Sequence, residues 1–354
     1  MITPLLLETQ ISTSHAAAKA GAQCSKLGSK SVVGSKTFTC IKSRNRLIWD
    51  KGASQSARKD TDAREQAYNS VRLIFNRNLN RSSKTKIQIV SNSAVKQSIV
   101  SEVTNRATNF LKFFGDEAES IYFHIIIGTN ETSDWIAEEL TKADPAEAKG
   151  HAAWTAWFKS NLNGGNRCKA WNAGNHGSSA NGPVLLSFTL LPSDCTNPLD
   201  IVWKTSVEHE MVGAMQRVWS EKRDDLLPCW LIEGQQVYYG SVLGTAKNFS
   251  EFKEVFSWHK RFKRQDLMTA AKRLGYGFDG AVCGQEGGYE AGRLLVEQLI
   301  YQFGHEALIS FTRAIVNISG QDSEKWKVAF EQQFKVSYDS WLEKVVPEIE
   351  KREL

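Results

Sequence analysis

The apolar positions change period along the chain. Residues 67–76 and 94–114 carry them at three- and four-residue steps, the spacing of a helix with one buried face, while 86–90 and 121–127 read as strands. Residues 132–142 predict a short helix capped by Thr132 or Ser133. The Gly- and Asn-rich stretch 161–182 predicts a loop, and its glycines match no phosphate-cradling pattern, which argues against nucleotide binding. Val184–Leu190, bounded by Pro183 and Pro192, predicts a strand. From Asp200 onward the pattern is almost wholly helical, with helices opening after Pro228 and at Gly288. The expected class is α+β: a small mixed sheet followed by a mainly helical half.

Upstream lies a different kind of segment. Residues 36–42 and 46–51 predict two short strands around a turn at Ser43-Arg44-Asn45, with Phe38 and Trp49 as apolar contents. So few residues cannot hold a core unaided, and Cys24 with Cys40 would staple them into a small β module. The expected division is a poor or truncated export leader at 1–23, the stapled module at 24–52, a polar linker at 53–66 and the main domain at 67–354. The main domain has an α/β part to residue 200 and a helical part from 201. The leader reading rests on the small-residue stretch 14–20, because residues 1–7 are short for a hydrophobic region and no positive charge precedes them.

With 354 residues, 41% of them hydrophobic, the chain can bury a sizeable core, which excludes wholesale disorder. No apolar run approaches the ~18 residues of a membrane helix. The net charge of +5 is uneven: residues 24–66 hold ten Lys/Arg against four Asp/Glu, whereas 67–354 hold 33 against 34. A basic stripe on the main body, the usual mark of a nucleic-acid enzyme, is missing. The small basic piece is either a solvated hairpin or a contact for an anionic polymer at a cell surface. Six widely spaced cysteines without CxxC spacing suit an exported, disulfide-stapled protein. Pairing by proximity gives Cys24–Cys40, Cys168–Cys195 and Cys229–Cys283, one of fifteen connectivities.

The segment 206–216 carries the chemical signal. On a helix, Val207, Met211, Met215 and Val218 would pack inward, and His209, Gly213 and Gln216 fall on another face. Zinc peptidases use such a helix: two histidines four residues apart hold one metal, and the Glu between them polarises the bound water. His209 and Glu210 occupy the first two places, and Gly213 stands at the second histidine's place. Downstream, Glu233 lies in a helix where it could face His209, and Tyr289 opens another helix. Taken singly, these would read as a surface glutamate and a packing aromatic.

Together the motifs resemble the gluzincin, or peptidase-MA-like, metallopeptidases of thermolysin and aminopeptidase type. That family runs His-Glu-x-x-His-x-x-Gln, then Trp-x-x-Glu-Gly, then a Tyr-Glu-x-Gly helix and a helical tail. This chain gives His209-Glu210-x-x-Gly213-x-x-Gln216, Trp230-x-x-Glu233-Gly234 and Tyr289-Glu290-Ala291-Gly292, and its tail at 329–341 looks like the closing helices. The resemblance covers residue 67 to the end and is strongest from 202. It implies a zincin-like fold, His209 and Glu233 as zinc ligands, Glu210 as the general base and Tyr289 as hydrogen-bond donor to the developing oxyanion. It also implies Val184–Leu190 as the edge strand to which a peptide substrate adds. The 24–52 stretch resembles a small Cys/Trp module of exported actinobacterial proteins.

Gly213 leaves two readings. The first is a secreted or surface zinc peptidase, its missing ligand replaced from a loop, for example by His176. The second is a pseudopeptidase whose fold binds peptide or protein without turnover. An unrelated secreted α+β binding protein stays open as a third. No transmembrane segment or nucleic-acid partner is expected in any of them.

Overall fold

The computed structural model describes residues 19–25, 29–33, 36–43, 46–51, 53–54, 62–81, 84–114, 121–162, 168, 172–176, 182–192, 194–195, 200–245, 248–258, 267–275, 283 and 287–353. Most of the expected leader, and much of the basic 24–66 stretch, lie outside these. Two units, Met1–Asp62 and Ala63–Leu354, divide the chain.

In the first unit β2 (Lys36–Ser43) pairs antiparallel with three strands, β1 (Lys30–Val33), β3 (Arg46–Trp49) and β4 (Ala53–Ser54). Cys24 and Cys40 are bonded. Phe38 is buried beside them and Trp49 half-buried. Asp50 closes the module by accepting from the Thr39 amide at 3.0 Å and returning its own N–H to the Thr39 carbonyl. With so little apolar content, the cross-link replaces the core. Its removal by Cys24→Ser/Cys40→Ser should cost roughly 3 kcal/mol for a loop of this length. We expect limited proteolysis to cut the variant within this unit while 63–354 stays intact.

The second unit is mixed α/β and mainly helical. Helix α1 (Ala63–Asn78) begins inside the expected linker, and Arg64 in its first turn is buried, so that basic residue is no part of a surface patch. The sheet runs β5 (Lys86–Ser91), β6 (Tyr122–Thr129), β8 (Val184–Leu190) and β7 (Asn172–His176), parallel except for β7. Helices α2 (Gln97–Phe114), α3 (Ser133–Ala143) and α4 (Ala148–Leu162) complete this half. Alternation sends Ile125, Ile127, Leu186 and Phe188 into the main core, and Ile126 and Leu185 onto Ile136 and Leu140 of α3.

Two expectations fail here. Val184–Leu190 is flanked on both sides and is no edge strand; a strand buried on both faces is a continuous apolar run, which is how it reads. The edges are β5 and β7, and β7 lies inside the stretch expected to be a loop. Asn-Ala-Gly-Asn-His has poor strand propensity, and the ladder offered by β8 overrides it.

The helical half packs α5 (Asp200–Trp219) against α6 (Cys229–Gly244), and α6 against α9 (Gly288–Phe303); α7 (Phe249–Trp258) and α8 (Leu267–Arg273) lie between them in the chain. Helices α10 (His305–Ala314), α11 (Asp322–Phe334) and α12 (Tyr338–Glu353) follow. All three disulfides pair neighbouring cysteines in sequence: besides Cys24–Cys40 they are Cys168–Cys195 and Cys229–Cys283. No helix among the described residues is long and apolar enough to cross a membrane.

α5 and α6 are antiparallel: a Cβ at Gly244 would meet the Lys204 carbonyl, one at Gly240 would meet His209, and one at Gly213 would meet Gln236. α6 and α9 cross backbone to backbone. A Cβ added at Gly234 would sit 2.9 Å from the Gly292 Cα, and one at Gly292 the same distance from the Gly234 Cα. Backbone cannot yield as a flexible side chain can. Gly234→Ala and Gly292→Ala should therefore each cost about 1–3 kcal/mol or more, measured as a lowered urea midpoint with an unchanged slope.

Candidate functional site

Four residues from three helices meet where these packings converge. α5 brings His209 and Glu210, α6 brings Glu233 one residue before its crossing glycine, and α9 brings Tyr289 in its first turn. The His209 imidazole and the Tyr289 ring stack with centroids 6.0 Å apart and planes 21° from parallel. The Tyr289 hydroxyl donates to the Glu233 carboxylate, whose Oε2 is buried and has no hydrogen-bond partner. His209 Nε2 lies 4.0 Å from Glu210 Oε1. The structure thus brings together all four residues that the sequence singles out.

A fifth residue was not foreseen. Asn175, on edge strand β7, donates through Nδ2 to Glu210 Oε2 at 3.3 Å, and its backbone also bonds the Glu210 carboxylate. The same amide fills the space above Gly213. A Cβ there would lie 3.0 Å from Gln236 Nε2 and closer still to Asn175 Nδ2. Gln236 is held in turn by Gln216 Oε1 at 2.9 Å, and Gln216 Nε2 bonds Gln235 Oε1 at 2.7 Å and the Ile232 carbonyl at 3.1 Å. Gln216 therefore joins the two helices through an amide network. Only the sequence Asn175-His176, inside an apparent loop, hinted at polar side chains here.

His176 does not reach the gap. Successive residues of a strand face opposite ways. Its Nε2 bonds Ser187 Oγ at 2.7 Å, and its ring meets Trp154 edge-on at 5.1 Å. Replacement of the missing ligand by His176 is thereby corrected.

Burial sets the electrostatics. It pushes the Glu210 carboxyl up to about 7 against the pull of the Asn175 hydrogen bonds. It raises Glu233 to about 8, with the Glu210 charge adding to the rise and the Tyr289 hydrogen bond opposing it. Burial also lowers His209 to about 4, so the imidazole is neutral at physiological pH. Tyr289 is raised by burial and by both carboxylates. Near pH 7 the site therefore holds a neutral imidazole, a phenol and two carboxyl groups that bind protons far more readily than exposed glutamates do.

A catalytic zinc needs three protein ligands and an open position. His209 and Glu233 offer two donors on one site. The place of the third, over Gly213, is taken by carboxamides, and no group of three or more His, Cys, Asp or Glu suited to a metal occurs among the described residues. The described residues do not fit a three-ligand catalytic zinc, and no chemical step is routed through one.

Comparison with protein-family models, with curated proteins and with solved structures found no match.

The raised carboxyls have a thermodynamic consequence. Between pH 4.5, where an unfolded glutamate titrates, and the folded values near 7 and 8, the native state keeps protons that the unfolded chain has released. Stability should therefore fall as pH rises through that window. Glu233→Gln, which can still accept from Tyr289, should show a shallower fall in melting temperature from pH 5.5 to 8.5 in chelator-treated buffer. Equal slopes for the two proteins would mean that Glu233 does not titrate there.

Proposed function

We propose that this chain is an exported gluzincin-like protein whose metal centre has been dismantled, and that it binds extended peptide or protein segments without cleaving them. One observation carries the reading: the Asn175 and Gln236 carboxamides occupy the space where a second ligand histidine would extend from position 213. The ordered recurrence of the three motifs supports the zincin-like assignment, as does the meeting of His209, Glu210, Glu233 and Tyr289. Export is supported by the three disulfides, which persist in oxidising compartments. Edge strand β7, beside Glu210, takes the peptide-adding role first expected of Val184–Leu190, since only a strand at a sheet's edge can accept a further one.

An active zinc peptidase is the second reading, and a specific feature favours it: the buried, unpartnered Oε2 of Glu233, on the carboxylate bound by the tyrosine that stacks on His209. Zinc content separates the two. Wild-type protein dialysed against buffered zinc should hold well under one equivalent and should not cut a mixture of random-sequence peptides read by mass spectrometry. Gly213→His alone must displace the Asn175 amide, so Gly213→His/Asn175→Ala should bind zinc more tightly than either single variant. Losing even a supporting partner of a metal ligand costs ~10–100-fold in affinity, so regaining a direct ligand should gain at least that much. Stoichiometric zinc in the wild type, lost in His209→Ala, would instead establish the peptidase reading.

A further inference from the structure

Arg293 lies one turn beyond Tyr289 on α9. It is completely buried, and its Nε, Nη1 and Nη2 have no hydrogen-bond partner. Its guanidinium carbon stands 4.1 Å from the centroid of the Phe256 ring, with Arg64 over the same ring at 4.7 Å. A ring face stabilises a cation but accepts none of its in-plane N–H bonds. The neighbouring guanidiniums do reach carboxylates, although Arg352 Nε also lacks a partner. Arg64 Nε bonds Glu297 Oε2 at 2.8 Å and Arg64 also pairs with Glu353, while Arg352 Nη2 bonds Glu297 Oε1 at 2.9 Å.

A second orphaned donor lies on the same aromatic. Tyr238 of α6 is completely buried, its ring stands edge-on to Phe256 at 6.1 Å, and its hydroxyl has no partner. Tyr238 and Arg293 both feel the charges of Arg64 and Glu297. Three guanidiniums therefore share two carboxylates, Glu297 and Glu353. Glu290 is the weakest influence on Arg293. Leaving a buried charge without hydrogen bonds is among the costliest arrangements in a protein interior.

We propose that Arg293 and Tyr238 form a buried binding site for one compact monovalent anion, of halide or small carboxylate size, beside Phe256. Such an anion accepts from the Arg293 N–H groups and the Tyr238 O–H together and offsets the excess cation. Among the described residues Glu297 and Glu353 are hydrogen-bonded to Arg64 and Arg352, and one small anion would give the Arg293 N–H groups the acceptor they lack. The site is separate from the His209–Glu233 constellation, and it does not depend on whether that constellation binds or cleaves peptide.

The test is thermal unfolding of the full chain at fixed ionic strength, with bulky gluconate exchanged for chloride and, in a second series, for formate. The wild type should gain about 2 °C or more, saturably, as expected for a ligand that binds only the folded state. Tyr238→Phe loses one hydrogen bond to a charged ligand and should need about tenfold more anion for half the effect. Arg293→Met should show no response. If that variant fails to fold, Tyr238→Phe still decides. A lower half-saturation for formate than for chloride identifies a carboxylate as the preferred occupant. A wild-type melting temperature insensitive to both anions, or an identical response in Tyr238→Phe, overturns the proposal.

Discussion

The helical half depends on one close approach, the crossing of α6 and α9 at Gly234 and Gly292. With side chains at those positions, the helix axes would have to separate by more than a methyl group allows without repacking. Because they do not, Glu233 and Tyr289, one residue before Gly234 and three before Gly292, lie within hydrogen-bond reach. The antiparallel packing of α5 on α6 then fixes His209 against the Tyr289 ring. The crossing thus makes Glu233 and Tyr289 one unit, to which α5 adds His209 and Glu210. The disulfide from Cys229 to Cys283 ties the start of α6 to the segment just before α9, on the side from which both helices enter the crossing.

Within that frame the charges are unusual. Two carboxyl groups are buried near each other with a neutral imidazole, and burial outweighs the hydrogen bonds that would favour ionisation. In a metallopeptidase a dication reverses such a balance, holding the carboxylate ligand ionised and the imidazole neutral. Here carboxamides from β7 and α6 occupy the space over Gly213. Carboxamides carry no charge, and those of Asn175 and Gln236 find hydrogen-bond acceptors in Glu210 and Gln216.

How much of this could be read from the residues follows from where information resides. The long periodic helices and the apolar strands were legible because burial imposes their period. His209, Glu210, Glu233 and Tyr289 were legible only as spaced motifs, since none stands out from composition. β7 was not, because Asn172–His176 is a strand by virtue of its neighbour β8 rather than of its own propensity. Asn175 was missed with it. The edge was assigned to Val184–Leu190 because a strong apolar run is easily seen, although strength of that kind marks an interior strand. Arg293 and Tyr238 gave no signal either: an arginine in a helix is ordinarily a solvated surface residue.

The buried ionic cluster bears on the same architecture from further along α9. Glu297 binds Arg64 of α1 and Arg352 of α12, so the first and last helices of this unit are both fastened to the helix that carries Tyr289. Buried pairs of this sort contribute little net stability, because desolvation consumes most of the attraction. What they do impose is position, since a displaced partner leaves a bare charge behind. Gly292 sets how closely α9 approaches α6, and Glu297 sets which helices flank it. Arg293, between the two, is completely buried, and its N–H groups find no partner. The orphaned guanidinium thus lies on one helix between two constraints, the close crossing at Gly292 and the ion pairs at Glu297.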